Sequence, residues 1–201
     1  MASKIIVDQL EKTGGTLNAL TLPLANATAN QYIKNDGAGA LSWATLPASP
    51  MVGQVLQATK TDTSTSTSTS FVDISDLSQA ITPASASSRF LVTMSLQGNG
   101  TPSVTTFAAQ IVRDSTPIAI GDADGSRTRA TSGAHDSFDS VINCMTVSWI
   151  DEPATASAIT YKIQGVCLAA GTFYINRPSN NADTAGYGRV VSTLTVMELL
   201  S

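Results

Sequence analysis

From about residue 52 to the end of the chain, apolar and polar residues alternate in short runs separated by turn formers. The clearest run is Arg89–Leu96, where Phe90, Val92, Met94 and Leu96 share one face and Arg89, Thr93 and Ser95 the other. Leu91 is the one apolar residue on the polar side. Further strands are expected at Gln54–Lys60, Phe71–Ile74, Leu77–Thr82 and Thr106–Arg113. Others follow at Ile118–Gly121, Ser140–Ile150, Ala158–Leu168, Gly171–Asn176 and Val190–Leu200. Asp114-Ser115-Thr116-Pro117 reads as a hairpin loop, and Val190–Leu200 carries apolar residues on both faces, as a central or interface strand does. Thr61–Ser70 repeats Thr and Ser with Thr63, Thr65, Thr67 and Thr69 on one face, which fits an exposed edge strand or a long loop. Two long polar stretches, Asp122–Asp139 and Arg177–Gly188, read as loops. Roughly eight to ten strands with no helical stripe predict an all-β fold, an antiparallel jelly-roll-like β-sandwich over 51–201, with a closed barrel as the alternative.

Residues 1–50 follow a different rule. Short apolar beats (Leu17, Leu20, Leu22, Leu24, then Tyr32 and Ile33, then Leu41 and Trp43) are broken by Pro23, Asn26, Asn30, Asp36 and Gly37. No piece is long enough to fold on its own apolar face. The segment therefore predicts an extended attachment or shaft arm, with a boundary near Pro47 and Pro50, where proline disfavours helix and lacks a ladder donor. At its start Ile5, Ile6, Val7 and Leu10 form the apolar part of either one or two helical turns or a strand docked on a partner.

Composition narrows the function. Of 201 residues 42% are hydrophobic and only 13% charged, so a core is available and Ser, Thr, Asn and Gln must cover the surface. The net charge of −4 and scattered basic residues argue against nucleic-acid binding, which needs clustered cations. Asp8 and Glu11 break any secretory apolar region, and no run reaches membrane-spanning length, so synthesis in a cytoplasm is expected, without membrane insertion. Cys144 and Cys167 are too far apart for a metal motif and both lie in strand-like runs, which predicts buried free thiols.

Candidate chemistry is thin. His135, the one histidine, lies in SGAHDSFD beside Ser132, Asp136, Ser137 and Asp139, but neighbours along one loop do not supply the geometry of a catalytic triad. Asp122-Ala123-Asp124-Gly125 resembles half a calcium loop, lacks the later acidic ligand, and is equally a turn. Asp151 and Glu152 are adjacent, so on a strand they point to opposite faces. Asn26-Ala27-Thr28 is a formal glycosylation sequon. Trp149 shares a strand face with Met145 and Val147 and reads as core; Trp43 reads as packing between copies of the arm. No phosphate-binding loop, zinc spacing or cofactor motif is found, and neither catalytic residue nor cofactor is assigned.

The words IIVDQLEKTGG, LTLPLANATANQ, IKNDGAGALSWAT, SFVDISDLSQAITPASASSRFLV, VRDSTPIAIGDADGSR, TYKIQG and GTFYINR resemble fibre-like structural proteins of tailed bacteriophages, those of marine and cyanobacterial phages above all. The resemblance implies a virion protein, homotrimeric, anchored to tail or capsid proteins by its N-terminal segment and exposing a C-terminal β-domain. Three functions follow for comparison: a short fibre that meets a host-surface glycan, a capsid decoration protein, and a carbohydrate-active enzyme, which lacks a convincing acid/base pair. For the first, contact is expected in the two long loops, at Arg127, Arg129, His135, Phe138, Arg177 and Tyr187, because binding residues ride on loops of a rigid scaffold.

Overall fold

The computed structural model describes residues 9–10, 20–21, 23, 25–29, 31–37, 40–45, 52–101, 106–135 and 138–200. The chain divides into two compact units, Met1–Ser49 and Pro50–Ser201. Ile5, Ile6, Val7 and the prolines near the expected boundary lie outside the described residues.

In the first unit β1 (Gln9–Leu10) pairs with β2 (Leu20–Thr21), and β3 (Gln31–Asn35) with β4 (Leu41–Thr45), both antiparallel. Leu10 thus sits in a strand, not a helical turn. The second hairpin turns at Asn35-Asp36-Gly37. Gly37 has φ 85°, the Asn35 side chain accepts the Gly37 N–H at 2.6 Å, and Asp36 Oδ1 accepts the Ala40 N–H at 3.0 Å. These are the short-range bonds that make Asn, Asp and Gly turn formers. The Trp43 indole N–H donates to the Ala25 carbonyl at 2.6 Å, so the ring is tied within its own unit.

The second unit holds β5 (Val52–Lys60), β6 (Ser64–Ser66), β7 (Val72–Ile81), β8 (Arg89–Gly100), β9 (Thr106–Arg113) and β10 (Thr116–Ile118). It continues with β11 (Ser132–His135), β12 (Asn143–Asp151), β13 (Ile159–Cys167), β14 (Phe173–Ile175) and β15 (Ser192–Leu199). One sheet runs β5-β15-β8-β12 and the other β7-β13-β9, with β10 and β11 beyond β9, every pairing antiparallel. Successive strands cross between the sheets in the order of a jelly roll, two interleaved Greek keys.

Two strands are interrupted. Along the free side of β9, β10 pairs with Ile111–Arg113 and β11 with Thr106–Ala109, so they are halves of one strand from which residues 119–131 leave and return. Along β8, β15 covers Arg89–Ser95 and β14 covers Gly98–Gly100 on the same side, with residues 176–191 leaving between them. β6 pairs with β14 as β5 pairs with β15, which makes the Thr/Ser repeat a short edge strand with Thr65 outward.

Alternation supplies the core. Phe90, Val92, Met94 and Leu96 from one sheet meet Phe107, Ile111, Tyr161 and Ile163 from the other, all fully buried. Phe173 lies between the sheets, stacked on Phe107 at 4.5 Å between ring centroids. Room for its ring comes from two glycines: a Cβ at Gly98 would stand 2.5 Å from Phe173, and one at Gly165 3.0 Å from it.

Several expectations are corrected. The two strands expected at Phe71–Ile74 and Leu77–Thr82 are one, β7, with a bulge opposite Ile163 where Asp76 takes φ 66°. The bulge returns both Ile74 and Leu77 to the core face although three positions separate them. The hairpin loop after β9 is only Asp114-Ser115, because Thr116 and Pro117 already pair with Arg113 and Val112. Trp149 faces inward by register but sits on the edge strand β12 and is 46% exposed, so it is not core. Cys144 is on the outer face of β12 and exposed, whereas Cys167 is buried as expected.

Candidate functional site

Buried polar groups in the sandwich serve the fold. The Lys60 side chain is wholly buried, and its ammonium donates to Asp62 at 2.7 Å, Ser75 at 3.0 Å and Asp76 at 3.2 Å, a partner for each of its three protons. Burial alone would lower its pKa. The hydrogen bonds and charges of Asp62 and Asp76 outweigh that and hold it above the ordinary lysine value. Arg113 grips both oxygens of Asp151 at 2.7 Å, and Tyr161 donates to the same carboxylate at 2.7 Å, tying the two sheets together. Burial and that carboxylate push the Tyr161 hydroxyl pKa up. Glu198 is fully buried and accepts from the Ala84 N–H at 2.6 Å and Gln54 at 3.1 Å. Each of these carboxylates is consumed by structural bonds. Among the described residues no group of His, Cys, Asp and Glu has the arrangement of a metal site.

The six residues expected to contact a receptor divide into two sets. Arg127 and Arg129 ride on the 119–131 excursion and are exposed. Both are used locally: Arg127 pairs with Asp124, and Arg129 Nε donates to the Gly121 carbonyl at 2.6 Å. His135 is not in a loop. It ends β11, opposite Thr106, and is exposed.

Phe138, Arg177 and Tyr187 come together elsewhere, on the outer face of the β5-β15-β8-β12 sheet at the end marked by Gly98–Gly100. Asn99 faces outward there and donates to the Phe138 carbonyl at 3.3 Å; its Oδ1 is the one buried side-chain polar atom without a partner among the described residues. Tyr174, opposite Asn99, carries the Arg177 guanidinium 4.4 Å above its ring. Asn180 donates to the Tyr187 hydroxyl at 3.0 Å and to Asp139 at 3.2 Å, and its N–H reaches the Asp139 carbonyl at 3.0 Å. The 138–140 turn and the 176–191 excursion thereby form one surface, on which the Phe138 ring is left 67% exposed.

Its base is a side-chain knot. Asn176, with φ 62° and no exposure, donates to the Lys60 carbonyl at 2.8 Å and the Asp62 carbonyl at 2.9 Å. Its Oδ1 accepts the Ser192 hydroxyl at 2.6 Å, and Ser192 in turn accepts the Gln97 N–H at 2.9 Å. The excursion therefore begins and ends at two residues bonded to each other. Sequence reading missed Asn99, Tyr174 and Asn180. Tyr174 was open to detection as the outward residue in Phe173–Ile175, where the two flanking residues point inward.

No family model matches this chain, and no curated protein matches it. Solved structures show a partial likeness to the chain. The structure of infectious bursal disease virus Gt strain shares 14% identity at a TM-score of 0.41, over 95% of this chain and 50% of that one. The D431N mutant VP2 protein of the same virus, in derived T=1 particles, shares 14% at 0.40, over 94% and 48%. The T13 particle of that virus shares 15% at 0.40, over 94% and 47%. The chain spans about half the length of these structures, which are of virus particles and not of tail fibres. The jelly-roll assignment stands on the strand order itself.

Proposed function

We propose that this protein is a structural component of a virus particle: a short homotrimeric fibre of a tailed bacteriophage. Residues 1–50 attach it to the particle through the segment holding Ile5, Ile6, Val7 and Leu10, and residues 51–201 are displayed outward. The displayed unit meets a host-surface glycan through Phe138, Tyr174, Arg177, Asn180 and Tyr187. The observation that carries this reading is the outer-face surface itself. It joins the 176–191 excursion to the 138–140 turn and Tyr174 of β14, and it combines an exposed aromatic ring with planar amide and guanidinium groups. Aromatic faces stack on the C–H side of sugars, and planar polar groups satisfy their hydroxyls.

The test compares adsorption of particles carrying Phe138→Ala with Tyr187→Ala, particles carrying Arg127→Ala with Arg129→Ala, and the parent. The first pair is expected to reduce adsorption at least tenfold, the scale of losing one binding hot spot. The second pair is expected to leave it unchanged, since those arginines ride on the 119–131 excursion, which leaves from the strand beside β9 in the other sheet. If particles with the first pair assemble normally and adsorb at the parental rate, glycan contact at this surface is wrong, and a capsid decoration role takes its place.

A further inference from the structure

The outer face of the β5-β15-β8-β12 sheet, away from the surface just described, has a feature no function above uses. Register places Val55 opposite Met197, Met197 opposite Leu91, and Leu91 opposite Ile150. These four form a straight apolar row across all four strands. Val55 is 55% and Ile150 42% exposed, with Leu91 and Met197 half-buried between them. The next row is Gln57, Thr195, Thr93 and Ser148, joined by bonds of 2.8 Å from Gln57 to Thr195 and 2.9 Å between Thr93 and Ser148. A third row is Thr59, Thr193, Ser95 and Thr146. No side chain of these rows carries a charge. The outer face of the other sheet does, through the Lys162–Asp73 pair.

We propose that this face is the contact between copies of the chain, turned inward toward the symmetry axis of the trimer, so that the Val55–Met197–Leu91–Ile150 row of each copy meets those of the others. The proposal rests on the homotrimer reading. Near a rotation axis every side chain meets its own copies, so any charge placed there meets identical charges. The side chains of these three rows are uncharged and so can approach their copies without that repulsion, and Arg89, exposed on the same face one row beyond Leu91, stands at the edge of the patch. The apolar row supplies burial, and the Thr/Ser/Gln rows supply groups that both donate and accept and so pair with themselves. Leu91, the apolar exception on its strand's polar face, gains a role here.

The experiment is analytical ultracentrifugation of the full chain across a wide concentration range. It compares the parent, Val55→Lys with Ile150→Lys, and Val55→Thr with Ile150→Thr; threonine keeps strand propensity, so the second pair reports if the lysines prevent folding. The parent is expected to associate. The lysine pair is expected to weaken association on the order of 100-fold, part of it recovered in high salt, and the threonine pair on the order of 10-fold without salt dependence. A folded variant of either kind that associates with the parental constant overturns this contact face while leaving the trimer intact. A parent that stays monomeric at every concentration overturns both.

Discussion

Replacing Asn176 by alanine tests whether the knot at the base of the 176–191 excursion holds the strands together. The side chain gives two N–H bonds to the carbonyls of Lys60 and Asp62 and accepts the Ser192 hydroxyl. Asp62 is exposed, so water replaces the lost donor there. Lys60 and Ser192 are buried, and each unpaired group costs about 1–3 kcal/mol. Alanine must also adopt the φ of 62° that asparagine tolerates, which adds about 1 kcal/mol. The expected loss is therefore about 3–7 kcal/mol, or a fall in melting temperature of roughly 6–28 °C for a domain of this size. Asn176→Gly removes the same bonds without the backbone strain and should be the milder change by about 1 kcal/mol. Urea unfolding followed by far-ultraviolet circular dichroism gives both values. A loss below about 1 kcal/mol for alanine would refute the knot, and glycine worse than alanine would refute the strain argument.

Cys144 should react with a thiol reagent in the folded protein and Cys167 only after denaturation, because Cys144 is exposed with its thiol pKa lowered by Thr146 and Gln97 while burial raises that of Cys167; two thiols inaccessible in the native state would contradict the register of β12. Glu198 and Asp73 both titrate below their ordinary values, Glu198 because the bonds from Ala84, Ser88 and Gln54 outweigh burial, Asp73 because of Lys162 and Gln164. Depressed carboxylates stabilise the fold above their unfolded values, near 4, and lose that contribution as pH falls through the folded ones, so the melting temperature should drop below about pH 4.5 and Glu198→Gln should flatten the drop; a parent whose melting temperature stays level to pH 3 would overturn this. Asp151→Asn should cost about 3 kcal/mol by stranding Arg113, and Tyr161→Phe about 1.5–3 kcal/mol, measured by the same unfolding titration, and equal stability of either variant with the parent would show the cluster to be dispensable.

What the sequence disclosed was local. The face pattern of Arg89–Leu96, the turn residues at Asn35-Asp36-Gly37 and the outward threonines of the Thr/Ser repeat all follow from chemistry a few residues wide. What it withheld depends on pairing at a distance. Nothing within 119–131 reveals that Ile118 and Ser132 rejoin the same neighbour two positions apart, at Ile111 and Ala109. Trp149 departs from expectation for a related reason: alternation gives the face of a strand but not whether the strand is an edge, whereas the outward position of Cys144, opposite in face to Met145 and Val147, is one that alternation itself gives. The candidate site was half legible, because polarity flagged both excursions but only register separates Phe138, Arg177 and Tyr187 from Arg127, Arg129 and His135.

The interruption of a strand by 176–191 bears on how this protein can change over time. Asn176 and Ser192 close the excursion whatever lies between them, and lengthening a closed flexible segment twofold costs only about 0.6 kcal/mol. Substitutions, insertions and deletions between these two residues are therefore nearly decoupled from the core, so a lineage of such chains can exchange the part of the exposed surface that this segment supplies while the sandwich beneath it is inherited intact.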